Sequence, residues 1–232
     1  MPLRRSNTVK TPYETTGKFD IFTFLKQHAM NIVPKIKRRL KDPLQTFRIF
    51  EVAIALVCIV IPALLKIADS DTSGFRSSIS DYVSMGRSYV FGMLLSIAAL
   101  LFIFNGAVYF RNEDQFSLSK AGKWYNIILG LSLLAVILLP YKQYGVPHFI
   151  FAGLFFIGNA LVIAIFHKKQ YAIPSIILAV LTIVTITLHF YNQTVSIFTA
   201  EWLSLTVIGV HLIMEATGAN HCGEQIAGTP AV

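Results

Sequence analysis

The stretch YVFGMLLSIAALLFIFNGAVYF, residues 89–110, contains no charged side chain. About 20 mostly apolar residues are what an α-helix needs to cross the hydrocarbon core of a bilayer. In water, a helix that is apolar on every face would leave most of its surface unburied. This stretch therefore predicts a transmembrane helix.

Comparable apolar stretches occur on both sides of this one. Six qualify in all, at residues 49–67, 89–110, 124–140, 147–166, 173–190 and 200–216. Several of the connections between them are short, so we expect neighbouring helices to be antiparallel. The sequence thus predicts an all-α fold, a polytopic membrane bundle of six transmembrane helices.

The composition of the chain excludes an ordinary soluble domain. Of its 232 residues, 54% are hydrophobic and 14% are charged, whereas soluble domains carry about 25% charged residues. The net charge of +8 does not indicate a nucleic-acid surface. Eleven of the twenty Lys and Arg lie within residues 1–48, at or before the start of the first apolar stretch. We expect the bilayer, and no nucleic acid, as the partner.

The distribution of Lys and Arg predicts the orientation. With the N-terminus inside, sixteen of these residues fall on the cytoplasmic side and four on the outer side. Loops on the cytoplasmic side retain an excess of positive charge. We therefore expect cytoplasmic N- and C-termini, and we favour a bacterial inner membrane over a eukaryotic one.

The first 45 residues form a separate basic segment in the sequence. Between residues 19 and 41, apolar side chains recur at steps of three and four, at Phe22, Leu25, Ala29, Val33, Ile36 and Leu40. This pattern predicts an amphipathic interfacial helix that contacts anionic lipids of the inner leaflet, or an anchor that only fixes topology. The predicted organisation is a basic segment, 1–45, a transmembrane domain, 46–217, and a disordered cytoplasmic tail, 218–232.

One set of polar residues lies at the outer ends of the predicted spans. Ser80, Asp81 and Arg87 lie before or within the start of the second span, His148 begins the fourth and Glu201 begins the sixth. Ionisable groups at membrane depth usually face the interior of a bundle or a wet cavity. We predict that these five residues form an outer-facing pocket for a lipid headgroup or small ligand.

A second polar set lies deeper, toward the cytoplasmic ends of the spans. It consists of Glu51, Asn105, Asn159, His211 and Glu215. His211 and Glu215 are four residues apart and so share one helix face. These residues either line a path or pair with one another between helices, as asparagines often do.

Plainer interpretations and a metal site compete with the pocket. Ser80 and Asp81 are ordinary helix-capping residues. Asp81, His148 and His189 supply ligand types that zinc accepts, with Glu201 as a general base. The sequence has no HExxH pair, so we expect no cofactor and favour a non-catalytic protein, with zinc as the alternative.

The stretch SISDYVSMGRSYVFG, residues 78–92, resembles a family of uncharacterised, mostly bacterial, multi-span proteins with the pattern Ser-Ile-Ser-x-Tyr-Tyr followed by Arg and Gly. The segments HFIFAGLFF, 148–156, and EWLS, 201–204, are similar to later landmarks of that family. Val83 departs from it, because a second Tyr is usual there. The resemblance implies a membrane protein without an assigned activity, with Ser80, Arg87, His148 and Glu201 at pattern positions.

A fainter likeness is to membrane hydrolases of the alkaline ceramidase and progestin and adipoQ receptor type. Those proteins are similar in placing Ser, Asp and His residues of their spans around zinc. They have seven spans and a last span with paired histidines, whereas this chain has His211 followed by Glu215. This likeness implies, as an alternative function, a zinc-dependent lipid hydrolase. An accessory subunit of a larger membrane complex is the other alternative.

Overall fold

A computed structural model describes residues 42–112, 123–167 and 169–218, which belong to the compact unit Lys41–Val232. The described part contains the helices α1 (Pro43–Ala68), α2 (Ser88–Arg111), α3 (Tyr125–Leu138), α4 (Gly145–Ile165), α5 (Ala172–Asn192) and α6 (Ile197–Gly218). Short 3-10 helices occur at Ser80–Ser84 and Lys169–Tyr171, and these ranges contain no strand. The all-α prediction is confirmed for them. The predicted N-terminal amphipathic helix and the C-terminal tail beyond residue 218 lie outside the described residues.

The sequence gives α1 a well-defined start and α5 a well-defined end. The backbone N–H of Leu44 donates to Oδ1 of Asp42 at 3.0 Å, and Pro43 occupies the first turn, where its missing N–H is harmless. After the last residue of α5, Gln193 adopts a left-handed conformation with φ of 55°, which ends the helix.

Among the described residues, five helices are long and apolar enough to cross a membrane, namely Pro43–Ala68, Ser88–Arg111, Gly145–Ile165, Lys169–Asn192 and Ile197–Thr217. The predicted third span, 124–140, corresponds to α3, which has only 14 residues. Such a helix is about 21 Å long, against about 30 Å of hydrocarbon. Five membrane-length helices are therefore found where six were expected. The reason is local, because α3 ends at Leu138, and Pro140, two residues later, disfavours helical conformation at the intervening Leu139.

The helices pack in the order of the chain. Each helix contacts the next, and α6 also packs against α1, which closes the arrangement into a ring. Lys123, two residues before α3, contacts Glu51 near the start of α1. Tyr141, three residues after α3, contacts Asp81 in the α1–α2 loop. Helix α3 thus runs from one end of the bundle to the other. We call these ends the Lys123 end and the Glu201 end.

The surface of the bundle is apolar while part of its interior is polar. Large side chains such as Leu56, Leu138 and Phe190 are 56%, 74% and 69% exposed. In contrast, Glu51 and Asn105 are completely buried. Exposing so many large apolar side chains to water would be unfavourable, whereas the hydrocarbon of a bilayer is a favourable environment for them. The distribution is that of an integral multi-pass membrane protein.

Candidate functional site

The α1–α2 loop lies at the Glu201 end and is attached to the start of α6. The N–H of Phe198 donates to the carbonyl of Ser77 at 3.1 Å, and the N–H of Ile79 donates to Oε2 of Glu201 at 2.5 Å. The ring of Phe75 stacks on that of Phe198, with centroids 4.8 Å apart. Glu201 is thus held against the backbone of the loop, with only 9% of its surface exposed.

Arg76 organises the interior of this loop. Its Nε and Nη2 donate to the two carboxylate oxygens of Asp69 at 2.7 and 3.1 Å, and Nη2 also reaches Asp71 at 3.1 Å. Asp71 in turn accepts from the N–H of Gly86 at 2.7 Å. The hydrogen bond from Arg76, followed by those from the Asp71 backbone and Thr72, lowers the pKa of Asp69 to about 2. The forked ion pair fixes the shape of the loop.

Two residues of the predicted outer pocket lie apart from the other three. Asp81 accepts hydrogen bonds from Ser77 and Tyr141 at 3.2 and 3.1 Å and lies 3.6 Å from Nζ of Lys142. Partial burial acts to raise its pKa, but these hydroxyl donors and the lysine hold the pKa below the ordinary value. Arg87 is exposed and forms no ion pair with any described residue. Neither side chain lines the cavity described next.

A cavity of about 420 Å³ lies at the Glu201 end between α4, α5 and α6. Its polar wall consists of Ser77, Ser78, Ser80, Tyr141, His148, His189 and Glu201. Its larger, apolar wall includes Phe149, Phe156, Ile157, Ile186, Phe190 and Ile197. Three residues of the predicted pocket, Ser80, His148 and Glu201, therefore line this cavity together with His189.

Both histidines of the cavity are oriented by backbone carbonyls. Nδ1 of His148 lies 2.7 Å from the carbonyl oxygen of Leu139, and Nδ1 of His189 lies 2.9 Å from that of Val195. A carbonyl oxygen only accepts, so Nδ1 of each ring carries the hydrogen. In the neutral ring, Nε2 is then a hydrogen-bond acceptor.

The proposed zinc ligands do not come together. Among the residues that the structure describes, no group of three or more His, Cys, Asp or Glu is arranged to hold a metal ion. Asp81 is engaged by the hydroxyls of Ser77 and Tyr141 rather than facing His148 and His189. This donor set does not fit the zinc site that the hydrolase likeness implies.

At the opposite end, a buried ion cluster joins three helices. Nζ of Lys123 lies 3.4 Å from Oε1 of Glu51 and also contacts Oε2 of Glu215. Nε2 of His211 lies 3.6 Å from the other oxygen of Glu215, and Oγ of Ser175 lies 3.3 Å from Nδ1 of His211. All five side chains are buried. We call Glu51, Lys123, Ser175, His211 and Glu215 the Lys123 cluster.

The two predicted asparagines have different environments. Asn126 donates to Oδ1 of Asn105 at 2.5 Å, and Nδ2 of Asn105 donates to the carbonyl of Phe47 at 3.2 Å. This chain of hydrogen bonds links α1, α2 and α3. Asn159 is buried on α4, and its Nδ2 has no hydrogen-bond partner in the described ranges. The asparagines of the inner set are therefore separate from the Lys123 cluster in their hydrogen bonds.

Residues 60–216 match the sequence profile of DUF7103, a family of unknown function. The chain belongs to this family. The match extends from within α1 through most of α6 and agrees with the expected membership of an uncharacterised family. The signature at residues 78–92 and the likeness to ceramidase-type hydrolases remain predictions. No curated protein and no solved structure matches the chain.

The region shared with DUF7103 contains the whole cavity and every member of the Lys123 cluster except Glu51. Sequence reasoning missed Arg76, Lys123 and Ser175. Arg76 and Lys123 lie in loops of the sequence, where positive charge indicates topology. Asp69 and Asp71 lie within seven residues of Arg76 in the sequence. This spacing was the available signal for the ion pairs of Arg76.

Proposed function

We propose that this DUF7103 chain is a non-catalytic membrane module that binds a membrane amphiphile in the cavity at the Glu201 end. The observation that carries the proposal is the two-sided wall of that cavity. Polar groups of the α1–α2 loop, His148 and Glu201 form one side, and aromatic and aliphatic side chains form the other. A volume of about 420 Å³ lies within the range of about 300–1,000 Å³ for small-ligand sites.

Access from the hydrocarbon supports an amphiphile over a water-soluble ligand. Phe149 and Ile157 on α4 and Phe190 on α5 line the cavity, and they are 60%, 43% and 69% exposed on the surface of the bundle. A lipid chain that contacts these side chains remains in an apolar environment throughout. A headgroup at the same site reaches Glu201 and the histidines.

The hydroxyl groups favour binding over acyl transfer. A nucleophilic serine needs a hydrogen bond to a base. Ser77 donates to Asp81, and Ser78 and Ser80 hydrogen-bond to each other at 3.1 Å. Neither His148 nor His189 has a serine partner within the described part of the chain.

We also propose a topology for the module. All six helices cross the bilayer, the shortest being α3, with the Lys123 end and both termini on the cytoplasmic side. The excess of sixteen over four Lys and Arg on that side supports this orientation. The contacts of Lys123 and Tyr141 at opposite ends of the bundle support a full crossing by α3.

Filling the cavity tests the binding proposal. Gly153 lines the cavity on α4, and a Cβ added there meets nothing within 4 Å. A Cβ at Gly92 on α2 also meets nothing within 4 Å, and Gly92 is not a lining residue. We expect Gly153→Leu to lose a lipid that the wild type and Gly92→Leu retain through purification, measured by native mass spectrometry. Equal retention by all three proteins would reject the proposal.

A further inference from the structure

We infer that the amphiphile bound at the Glu201 end has a headgroup that donates hydrogen bonds and carries no net negative charge. This inference rests on the proposed function and specifies the chemistry of its ligand. Some polar groups of the cavity already have hydrogen-bond partners within the protein, and those that remain for a ligand determine the headgroup that fits.

The groups that remain are mainly acceptors. One carboxylate oxygen of Glu201 accepts from the N–H of Ile79, and the other has no hydrogen-bond partner among the described residues. The Nδ1–H groups of His148 and His189 are taken by backbone carbonyls, which leaves Nε2 of each neutral ring as an acceptor. With Glu201 ionised and both rings neutral, the cavity thus offers a ligand three acceptors.

The hydroxyl donors of the cavity are largely used within the protein. Tyr141 and Ser77 both donate to Asp81. The hydroxyls of Ser78 and Ser80 bond to each other, and Ser78 Oγ also accepts from the N–H of Asp81. Only one hydroxyl hydrogen of that pair remains for a ligand. A headgroup rich in acceptors would therefore leave most of its oxygens unpaired.

No positive side chain compensates an anion at this site. Within the described ranges, neither Lys nor Arg lines the cavity. Arg76 is held by Asp69 and Asp71, and the side chain of Lys142, near Asp81, is 58% exposed. A phosphate or carboxylate would instead lie beside the Glu201 carboxyl group, which is unfavourable in a buried site. Hydroxyl or ammonium headgroups avoid this cost.

Three probes with the same oleoyl chain test the inference. They are monoolein, with two hydroxyl donors, methyl oleate, with none, and 1-oleoyl lysophosphatidate, an anion on the same glycerol backbone. Each is exchanged at equal mole fraction onto the purified full-length protein at pH 8. Native mass spectrometry then counts the bound probe on wild type, Gly153→Leu, Gly92→Leu and Glu201→Gln.

We expect the wild type and Gly92→Leu to bind monoolein roughly tenfold more tightly than either other probe. In Glu201→Gln, the advantage of monoolein over methyl oleate should shrink severalfold. Lysophosphatidate binding equal to or tighter than that of monoolein, with Gly153→Leu blocking both, would overturn the headgroup inference and leave the binding site standing. No difference between wild type and Gly153→Leu for any probe would overturn the proposed function as well.

Discussion

A single side chain, that of Arg76, fixes the α1–α2 loop. This loop carries Ile79, whose backbone N–H donates to Glu201. The guanidinium of Arg76 binds both oxygens of Asp69 in a forked geometry, and the side chain is only 11% exposed. The planar fork of arginine matches a carboxylate in a way that lysine cannot reproduce. The position of Ile79 against Glu201 therefore depends on the ion pair between Arg76 and Asp69.

The variant Arg76→Ala should destabilise the protein by about 3 kcal/mol, because it leaves the buried carboxylate of Asp69 without its cation. Thermal unfolding in detergent, followed by size-exclusion chromatography, measures the effect. Arg87→Ala is the matched control, since Arg87 is exposed and has no ion pair with described residues. Equal melting temperatures for the two variants would contradict this role of Arg76.

Acid should weaken the same loop. The pKa of Asp69 is about 2 in the folded protein and about 4 when unpaired. A depressed pKa means that the stabilisation is complete above pH 4 and is lost as the pH falls from 4 to 2. We expect the wild type to lose more thermal stability over this range than Asp69→Asn, which has no carboxylate to protonate. Parallel pH profiles for the two proteins would show that Asp69 does not contribute.

The candidate site was only partly predictable from residue types. Ser80, His148 and Glu201 were found because depth in the membrane is readable from the apolar stretches on either side. The different environments of Arg76 and Arg87 could not be predicted, because both are arginines near the same predicted surface. Which one turns inward depends on the path of the loop, which hydropathy does not encode.

At the scale of helices, the Lys123 cluster joins the start of α1 to the end of α6. Lys123→Met would leave Glu51 and Glu215 buried without the ammonium group, and we expect a loss of about 3–5 kcal/mol. Unfolding in detergent measures it. Lys142→Met is the control, because that lysine is mostly exposed and should change stability by no more than about 1 kcal/mol.

Adding Glu51→Gln and Glu215→Gln to Lys123→Met tests the cause of that loss. Removing all three charges should recover part of the stability, because the two carboxylates that lost the lysine are then neutral amides. If the triple variant were no more stable than Lys123→Met, packing rather than charge would explain the cluster.

The contact between α2 and α3 requires a glycine. A Cβ at Gly130 would lie 2.6 Å from the carbonyl oxygen of Ala99, which belongs to the backbone and cannot move aside. Gly130→Ala should therefore cost about 1–3 kcal/mol. Gly92→Ala, with open space around it, should be neutral or stabilising by up to about 1 kcal/mol. The difference in melting temperature between the two variants checks the prediction.

The positions of the helices followed from the sequence more closely than their ends did. Apolar runs located all six helices of the described part, since burial in hydrocarbon demands continuous apolar sequence. The 14-residue α3 was harder, because Trp124 and Leu139 read as part of the run although they lie outside the helix. Apolar character alone does not say where hydrogen bonding stops.

At the scale of the molecule, the proposed topology makes the loops alternate between two sides. We expect single cysteines introduced at Lys142 and Lys169 to react with membrane-impermeant reagents from opposite sides, with Lys142 outside. Intact cells and inverted vesicles give the two measurements. Labelling of both positions from one side would exclude the proposed six crossings and the outward position of Glu201.

The closure of the helix ring by α1 and α6 has a consequence for how the protein is made. Glu51 is synthesised and inserted early, whereas its lysine partner and the last helix emerge much later from the ribosome. Until then, its carboxyl group has neither the cation nor the neighbouring helix that the finished protein provides. The pairing of Glu51 with Lys123 and the packing of α1 against α6 can therefore form only after the last helix has been inserted.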